Sequence, residues 1–148
     1  MQRWIKATVG LAFTFLMMLI VCGIIFYNIL NSSLPEYAGE ISCSEIFDDI
    51  KIYRDSMAIP YIIAKTEEDA ALALGYVHAQ DRLFVMDIIR RAGEGRLSEV
   101  MGEKSVPFDK MFRTVGLKRI VDRNLKNVNV KSLQLLNAYA KGVNLYIK

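Results

Sequence analysis

The chain has 148 residues and a mass of 16.8 kDa, room for one ordinary domain, and its 53% hydrophobic content with a mean hydropathy of +0.23 excludes a disordered chain. A single histidine and two cysteines exclude a four-ligand zinc site of the usual spacing and a disulfide framework. A formal net charge of +3 is too small to argue for nucleic acid.

The apolar excess lies at the N-terminus. Arg3 and Lys6 precede an uncharged stretch from Ala7 to Leu30, and the next charge is Glu36. Roughly 20 apolar residues in a helix cross the hydrocarbon core of a bilayer, so residues 7–30 predict one continuous transmembrane helix with the bilayer as its partner. Trp4 and Tyr27 suit the two interfaces, and the cationic flank predicts a single-pass chain with a cytoplasmic N-terminus and Lys148 outside, in the periplasm or extracellular space. The competing reading is a cleaved signal peptide, but cutting after Gly23 leaves Ile24 to Leu30 as an apolar new terminus. Leu19-Ile20-Val21-Cys22 is similar to a lipoprotein box with a poor residue before the cysteine. Both readings export the rest of the chain. With the anchor retained, Cys22 and Cys43 are separated by the membrane and no bridge between them is expected; Cys43 is left for a cross-chain bridge as the lesser alternative.

Residues 1–30 thus read as tip and anchor, and 31–48, with Ser, Pro, Gly and Glu, as a linker. Ile50 to Arg54 and Tyr61 to Ala64 are β-prone runs around a loop at Asp55 to Pro60, a hairpin that needs a helix or more sheet to cover it. Thr66 with Asp69 is a capping-box pattern opening a largely buried helix that runs to about Gly93, with an apolar stripe through Leu72, Tyr76, Ala79, Leu83 and Met86. Arg96 to Met101 predicts a short helical turn closed by Gly102. Pro107 starts an amphipathic run through Phe108, Met111, Phe112 and Val115, which Gly116 divides from Leu117, Ile120, Val121 and Leu125. A last helix shows Leu133, Leu136, Ala140, Val143 and Ile147 at spacings of three and four, with no cap after it, as if the chain continued.

Few residues can carry chemistry. His78 is the one histidine, so any histidine-based nucleophile must use it, and Asp81 and Arg82 stand where a helix would let them pair with it. The plainer reading is a packed helix residue beside an ion-pair network that fixes helix orientation. Glu67, Glu68 and Asp69 suit the dipole of a helix N-terminus and need no metal. Gly93-Glu94-Gly95 is too short for a phosphate cradle. Lys104, Lys110, Arg113, Lys118, Arg119, Arg123, Lys126 and Lys131 face only Asp109 and Asp122; a solvated helix face explains them, with anionic lipid headgroups as the alternative and nucleic acid an unsuitable partner for an exported chain. No residue is assigned a catalytic, cofactor-binding or metal-binding role.

The order of these signals resembles one family. Ile52-Tyr53-Arg54-Asp55 with Ala58 to Ala64, then Ala73 to Met86, then Arg90-Arg91 with Gly95 to Gly102, then Asp109 and Arg113, then Tyr139 to Asn144 together resemble the N-terminal part of the α chain of the penicillin acylase (penicillin amidase) family. The resemblance covers roughly Asp49 to Ile147, and Gly75 to Met86 weighs most. It implies that residues 49–148, mostly α with a short β-hairpin, are an incomplete domain of an α+β N-terminal-nucleophile (αββα) hydrolase of linear amides. Its substrates would be β-lactam side chains or acyl-homoserine lactones, and its partners the remaining α-chain and β-chain segments. In that family the precursor cuts itself, and the new N-terminal serine serves as nucleophile with its own α-amine, titrating near ~7.7 to 8.0, as base. The nucleophile and the calcium ligands that family members often carry lie beyond the matched region, and no Gly-Ser step occurs here, so no cofactor is expected in this chain. The family often has Gly and His where this chain has Ala58 and Tyr61. The alternative is a non-enzymatic, membrane-anchored helical binding module or an inactive remnant.

Overall fold

The computed structural model describes residues 2–32, 34–44, 46 and 48–148, with the side chains of the first helix described from Gly10 onward. Helix α1 spans Gln2–Ser32, and its Gly10–Ser32 window has a mean hydropathy of 2.4, long and apolar enough to cross a membrane. None of that window is buried against protein. Its polar side chains turn back on the helix's own carbonyls: Thr14 Oγ1 donates to Leu11 O at 2.9 Å and Asn28 Nδ2 to Ile24 O at 2.8 Å. That self-satisfaction is what an apolar solvent demands. The side chains of Arg3, Trp4 and Lys6 lie outside the described residues.

Packing divides the chain at Ile41 and Ser42, and the second unit holds the remaining elements. Strands β1 (Lys51–Arg54) and β2 (Pro60–Ile63) pair antiparallel with Lys51 opposite Ile63, the expected hairpin. Helix α2 (Glu67–Glu94) opens on Thr66, whose Oγ1 accepts from Asp69 N at 3.0 Å and donates to Asp69 Oδ2 at 2.7 Å. The expected capping box is present, with the acid closing it on the threonine hydroxyl. Next come α3 (Ser98–Met101), α4 (Val106–Val115), α5 (Leu117–Asn124) and α6 (Val130–Ile147), with Gly116 separating α4 from α5 as expected. The unit is mostly helical with a two-stranded sheet.

Helices α2 and α6 form its principal contact. A side chain at Gly75 would run into the carbonyl of Tyr139, and one at Gly142 into the carbonyl of Leu72 and to 2.8 Å from Tyr76 N. Two glycines thus let the backbones meet, although each weakens its own helix by about 0.5–1 kcal/mol relative to alanine. Tyr76 meets Tyr146 edge-to-face at 5.6 Å over the same crossing. Leu72, Ala73, Val77 and Ala79, the buried hydrophobic residues among those described, all lie on the half of α2 near this point.

Three apolar patterns take places other than the sequence predicted. Helix α2 is not buried throughout: its backbone leaves the helical region at Arg82 (φ −143°, ψ 24°), and beyond it Phe84 and Ile89 are each 66% exposed. On α4 the apolar residues Phe108, Met111 and Val115 face outward, while Asp109 is buried. On α6 the face against α2 carries Tyr139, Gly142 and Tyr146, and the expected stripe lies about one residue, roughly 100°, around the helix, with Leu133 and Val143 half-buried and Leu136 and Ile147 exposed. In each case the packed face is chosen by backbone approach or polar closure, which a periodicity of greasy residues does not register.

Replacing Gly142 by alanine should destabilise the chain by about 1–3 kcal/mol, because the new methyl must displace backbone. The same change at Gly93, whose surroundings are open, should be neutral or stabilising by up to about 1 kcal/mol. Urea denaturation of both variants in detergent, followed by circular dichroism, measures the contrast.

Candidate functional site

The charged and polar residues singled out from the sequence form three closures around α2. The first joins it to the hairpin. Arg54, at the end of β1, donates from Nη2 to Asp81 Oδ1 (2.9 Å) and Gln80 Oε1 (2.8 Å), and from Nη1 to Asp81 Oδ2 (3.1 Å) and the Ala58 carbonyl (2.8 Å). A planar guanidinium suits this two-pronged hold on one carboxylate while it also closes a turn, and the Arg54 side chain is only 11% exposed. Asp81 therefore serves the hairpin and is not paired with His78 or Arg82 as helix spacing suggested; the fork of Arg54 offers it two charge-assisted bonds. The ion-pair reading of Asp81 is the one the structure supports.

Within the turn, Asp55 Oδ1 accepts from the amides of Met57 and Ile59, both at 2.9 Å, and Ala58 is held at φ 61°. That is the left-handed region, where a Cβ costs roughly 1–2 kcal/mol.

The second closure lies between α2 and α6. His78 Nδ1 shares a hydrogen bond with Tyr139 Oη at 3.1 Å, and the rings meet edge-to-face at 5.8 Å. Glu67, in the first turn of α2, pairs with Lys131 at 2.9 Å, which raises the lysine's pKa through the hydrogen bond and the charge. Neither arrangement places a nucleophile beside a base.

The third closure ends α2. Gly95 caps it, with its amide on Ala92 O (2.9 Å) and the next amide, of Arg96, on Arg91 O (2.8 Å). Arg113 of α4 donates through Nε to the Gly95 carbonyl at 2.8 Å. Asp109, one turn earlier, accepts from Leu97 N (2.7 Å), Ser98 N (2.9 Å) and Ser98 Oγ. Burial on its own would raise the Asp109 pKa, but the Ser98 hydroxyl and the Ser98 and Leu97 amides outweigh it, leaving the carboxyl below its ordinary range. Outside this clasp, Asp87, Arg90, Arg91, Glu94, Arg96 and Glu99 form a half-buried ion-pair lattice, with the pKa of Asp87 lowered by Arg91 and Arg90. The residues around Gly93-Glu94-Gly95 thus end a helix.

The sequence motifs pointed to Asp109 and Arg113 without their roles, and the joining of Arg54 to Asp81 and of His78 to Tyr139 went unread. Glycines inside two otherwise helical patterns, Gly75 and Gly142, were the available signal for the close crossing. Among the described residues no three His, Cys, Asp or Glu side chains converge to hold a metal. Cys22 and Cys43 are free thiols. Cys43 lines an open groove of about 410 Å³ with Leu72, Lys141, Asn144, Leu145 and Ile147, which holds no acid–base pair.

Every closure uses the residues whose order carried the resemblance, and residues 49–148 match the profile described as penicillin amidase. The chain belongs to the penicillin amidase family. It is 36% identical over 118 residues to a penicillin acylase 2 proenzyme from Pseudomonas sp., an alignment covering 80% of this chain and 15% of that one. It is 35% identical over 115 residues to an acyl-homoserine lactone acylase, QuiP, from Pseudomonas aeruginosa, covering 78% and 14%. A thermostable penicillin G acylase from Alcaligenes faecalis superposes with a TM-score of 0.61 at 28% identity, over 67% of this chain and 53% of that one. The chain thus spans about one seventh of the length of the curated relatives it matches.

Because the Asp109 carboxylate in the clasp is held below its ordinary pKa, its contribution is present above the usual carboxylate range and lost as pH falls through the lowered value. Asp109→Asn should therefore be less stable than the parent at neutral pH, and the gap should narrow as pH falls below the ordinary carboxylate range, as read by thermal melts across pH. In the turn, Ala58→Gly should stabilise the chain by about 1 kcal/mol, measured by urea titration, by relieving the left-handed backbone.

Proposed function

We propose that this chain is the N-terminal part of the α chain of an exported amidohydrolase that cleaves linear amides, with an acyl-homoserine lactone or the acyl side chain of a penicillin as substrate. In this reading the αββα core is completed by further α-chain and β-chain segments, and the serine nucleophile lies among those segments. Helix α1 anchors the enzyme in a membrane with its N-terminus cytoplasmic and residues 49–148 outside.

The observation that carries the reading is the match of residues 49–148 to the penicillin amidase family. The exposed apolar faces support it. Phe84 and Ile89 on α2, Phe108 and Met111 on α4, and Leu136 on α6 make more apolar surface than a unit of this size leaves in water without a partner. The closures around α2 support it in another way, since they give His78, Asp81 and Asp109 positioning work and leave the acyl-transfer chemistry to other segments.

Expression of the gene through its own stop codon, followed by mass spectrometry and amide-hydrolysis assays with an acyl-homoserine lactone and with penicillin G, tests this. The expected outcome is two chains, one containing residues 49–148 and the other beginning with serine, that hydrolyse at least one substrate together, while residues 1–148 alone hydrolyse neither. Hydrolysis by residues 1–148 alone, or none by the complete product, would overturn it.

A further inference from the structure

Helix α5 differs from the other apolar-faced elements. Leu117, Ile120 and Val121, with Leu125 just beyond its end, fall at helical spacing on one side, and they are 39%, 48%, 58% and 46% exposed. The remaining side carries Lys118, Arg119, Arg123 and Lys126 against the single acid Asp122. Lys118 holds that acid at 2.7 Å, so the other cations flank the apolar stripe without an acid of their own helix to offset them. On α2 the exposed apolar residues are followed by arginines that are held by Asp87, Glu94 and Glu99, and on α4 Arg113 is held by the Gly95 carbonyl. An exposed apolar stripe bordered by net positive charge is the pattern of a helix that lies in the headgroup region of an anionic bilayer, its stripe at the acyl boundary and its cations on phosphates.

We infer that α5 and the turn after it (residues 117–127) are an interfacial helix that rests on anionic lipid at the outer surface of the membrane that α1 crosses. The inference rests on the anchored reading for that membrane. A protein partner is the other candidate for the stripe, but it would have to bring acids to the three uncompensated cations, whereas a leaflet of phosphatidylglycerol supplies apolar surface and negative charge together.

Hydrogen exchange of the full chain in nanodiscs tests the inference, comparing phosphatidylcholine alone with a mixture of phosphatidylcholine and phosphatidylglycerol. Amides of residues 117–127 should exchange about tenfold more slowly in the anionic discs, and the protection should fall away in about 1 M salt, where screening acts within ~3 Å. It should also fall in Arg123→Gln/Lys126→Gln and, independently, in Val121→Asn, with exchange at the crossing of α2 and α6 unchanged as the control for folding. Equal exchange of 117–127 in both lipids, whether fast or slow, would overturn the inference, slow exchange pointing to a protein cover. Residues 10–32 report on the anchor in the same data: fast exchange there with lipid-dependent protection at 117–127 would sink the anchor alone, and the reverse would sink the α5 inference alone.

Discussion

The contact on which the second unit depends is the meeting of two helix backbones at Gly75 and Gly142. A bare α-carbon on each side brings carbonyls of Leu72 and Tyr139 to where side chains would otherwise stand. Once the axes are that close, the neighbours are determined: Tyr76 must meet Tyr146, His78 must meet Tyr139, and Leu72, Ala73, Val77 and Ala79 lose their water. The crossing also explains why α2 can bend at Arg82. Its first half is held by packing, its second half by hydrogen bonds at its end, and the joint between the two regimes is where the backbone gives way.

Beyond the crossing, order is kept by polar groups that satisfy chain ends. Four buried hydrophobic residues among those described are a small core for a unit of this length. The loops and short helices hold their places because unpaired amides and carbonyls at helix ends cost free energy unless something answers them. Asp109 answers two amides and a hydroxyl where α3 begins, Arg113 answers the carbonyl at the end of α2, and Arg54 answers the turn carbonyl of Ala58. Each of these side chains reaches from one element to the end of another, so each contributes orientation as well as energy.

This division of labour sets what could be read from the amino-acid sequence. Signals written in local backbone chemistry were legible: the Thr66 cap, the hairpin, the break at Gly116 and the short turn closed by Gly102 all stand where expected. Faces were less legible. The stripe through Leu136 and Ile147 has the period of a core-facing helix, yet the packed face of α6 is the one with tyrosines and a glycine, because close approach favours small residues and flat rings over bulk. Asp109 is buried on a helix whose greasy residues are outside for a related reason: a carboxylate that caps another element must sit where that element ends. The partner of Asp81 was hidden because helix spacing points to His78 and Arg82, while the guanidinium that holds it arrives from a strand 27 positions earlier.

The family signature is therefore a signature of construction. From Gly75 to Arg82 the motif supplies a crossing glycine, two rings that meet α6, a carboxylate that holds the hairpin, and the residue at which the helix bends. Gly95 to Ser98 with Asp109 and Arg113 supplies one interlocked helix end. Asp109, Arg113 and Arg54 answer backbone groups, and substituting any of them leaves those groups unmet. Side chains locked by packing and by hydrogen bonds to chain ends give a fold the rigidity that any precise site needs. The segment declares its family through the residues that hold its frame, because those residues fix where one element ends against another.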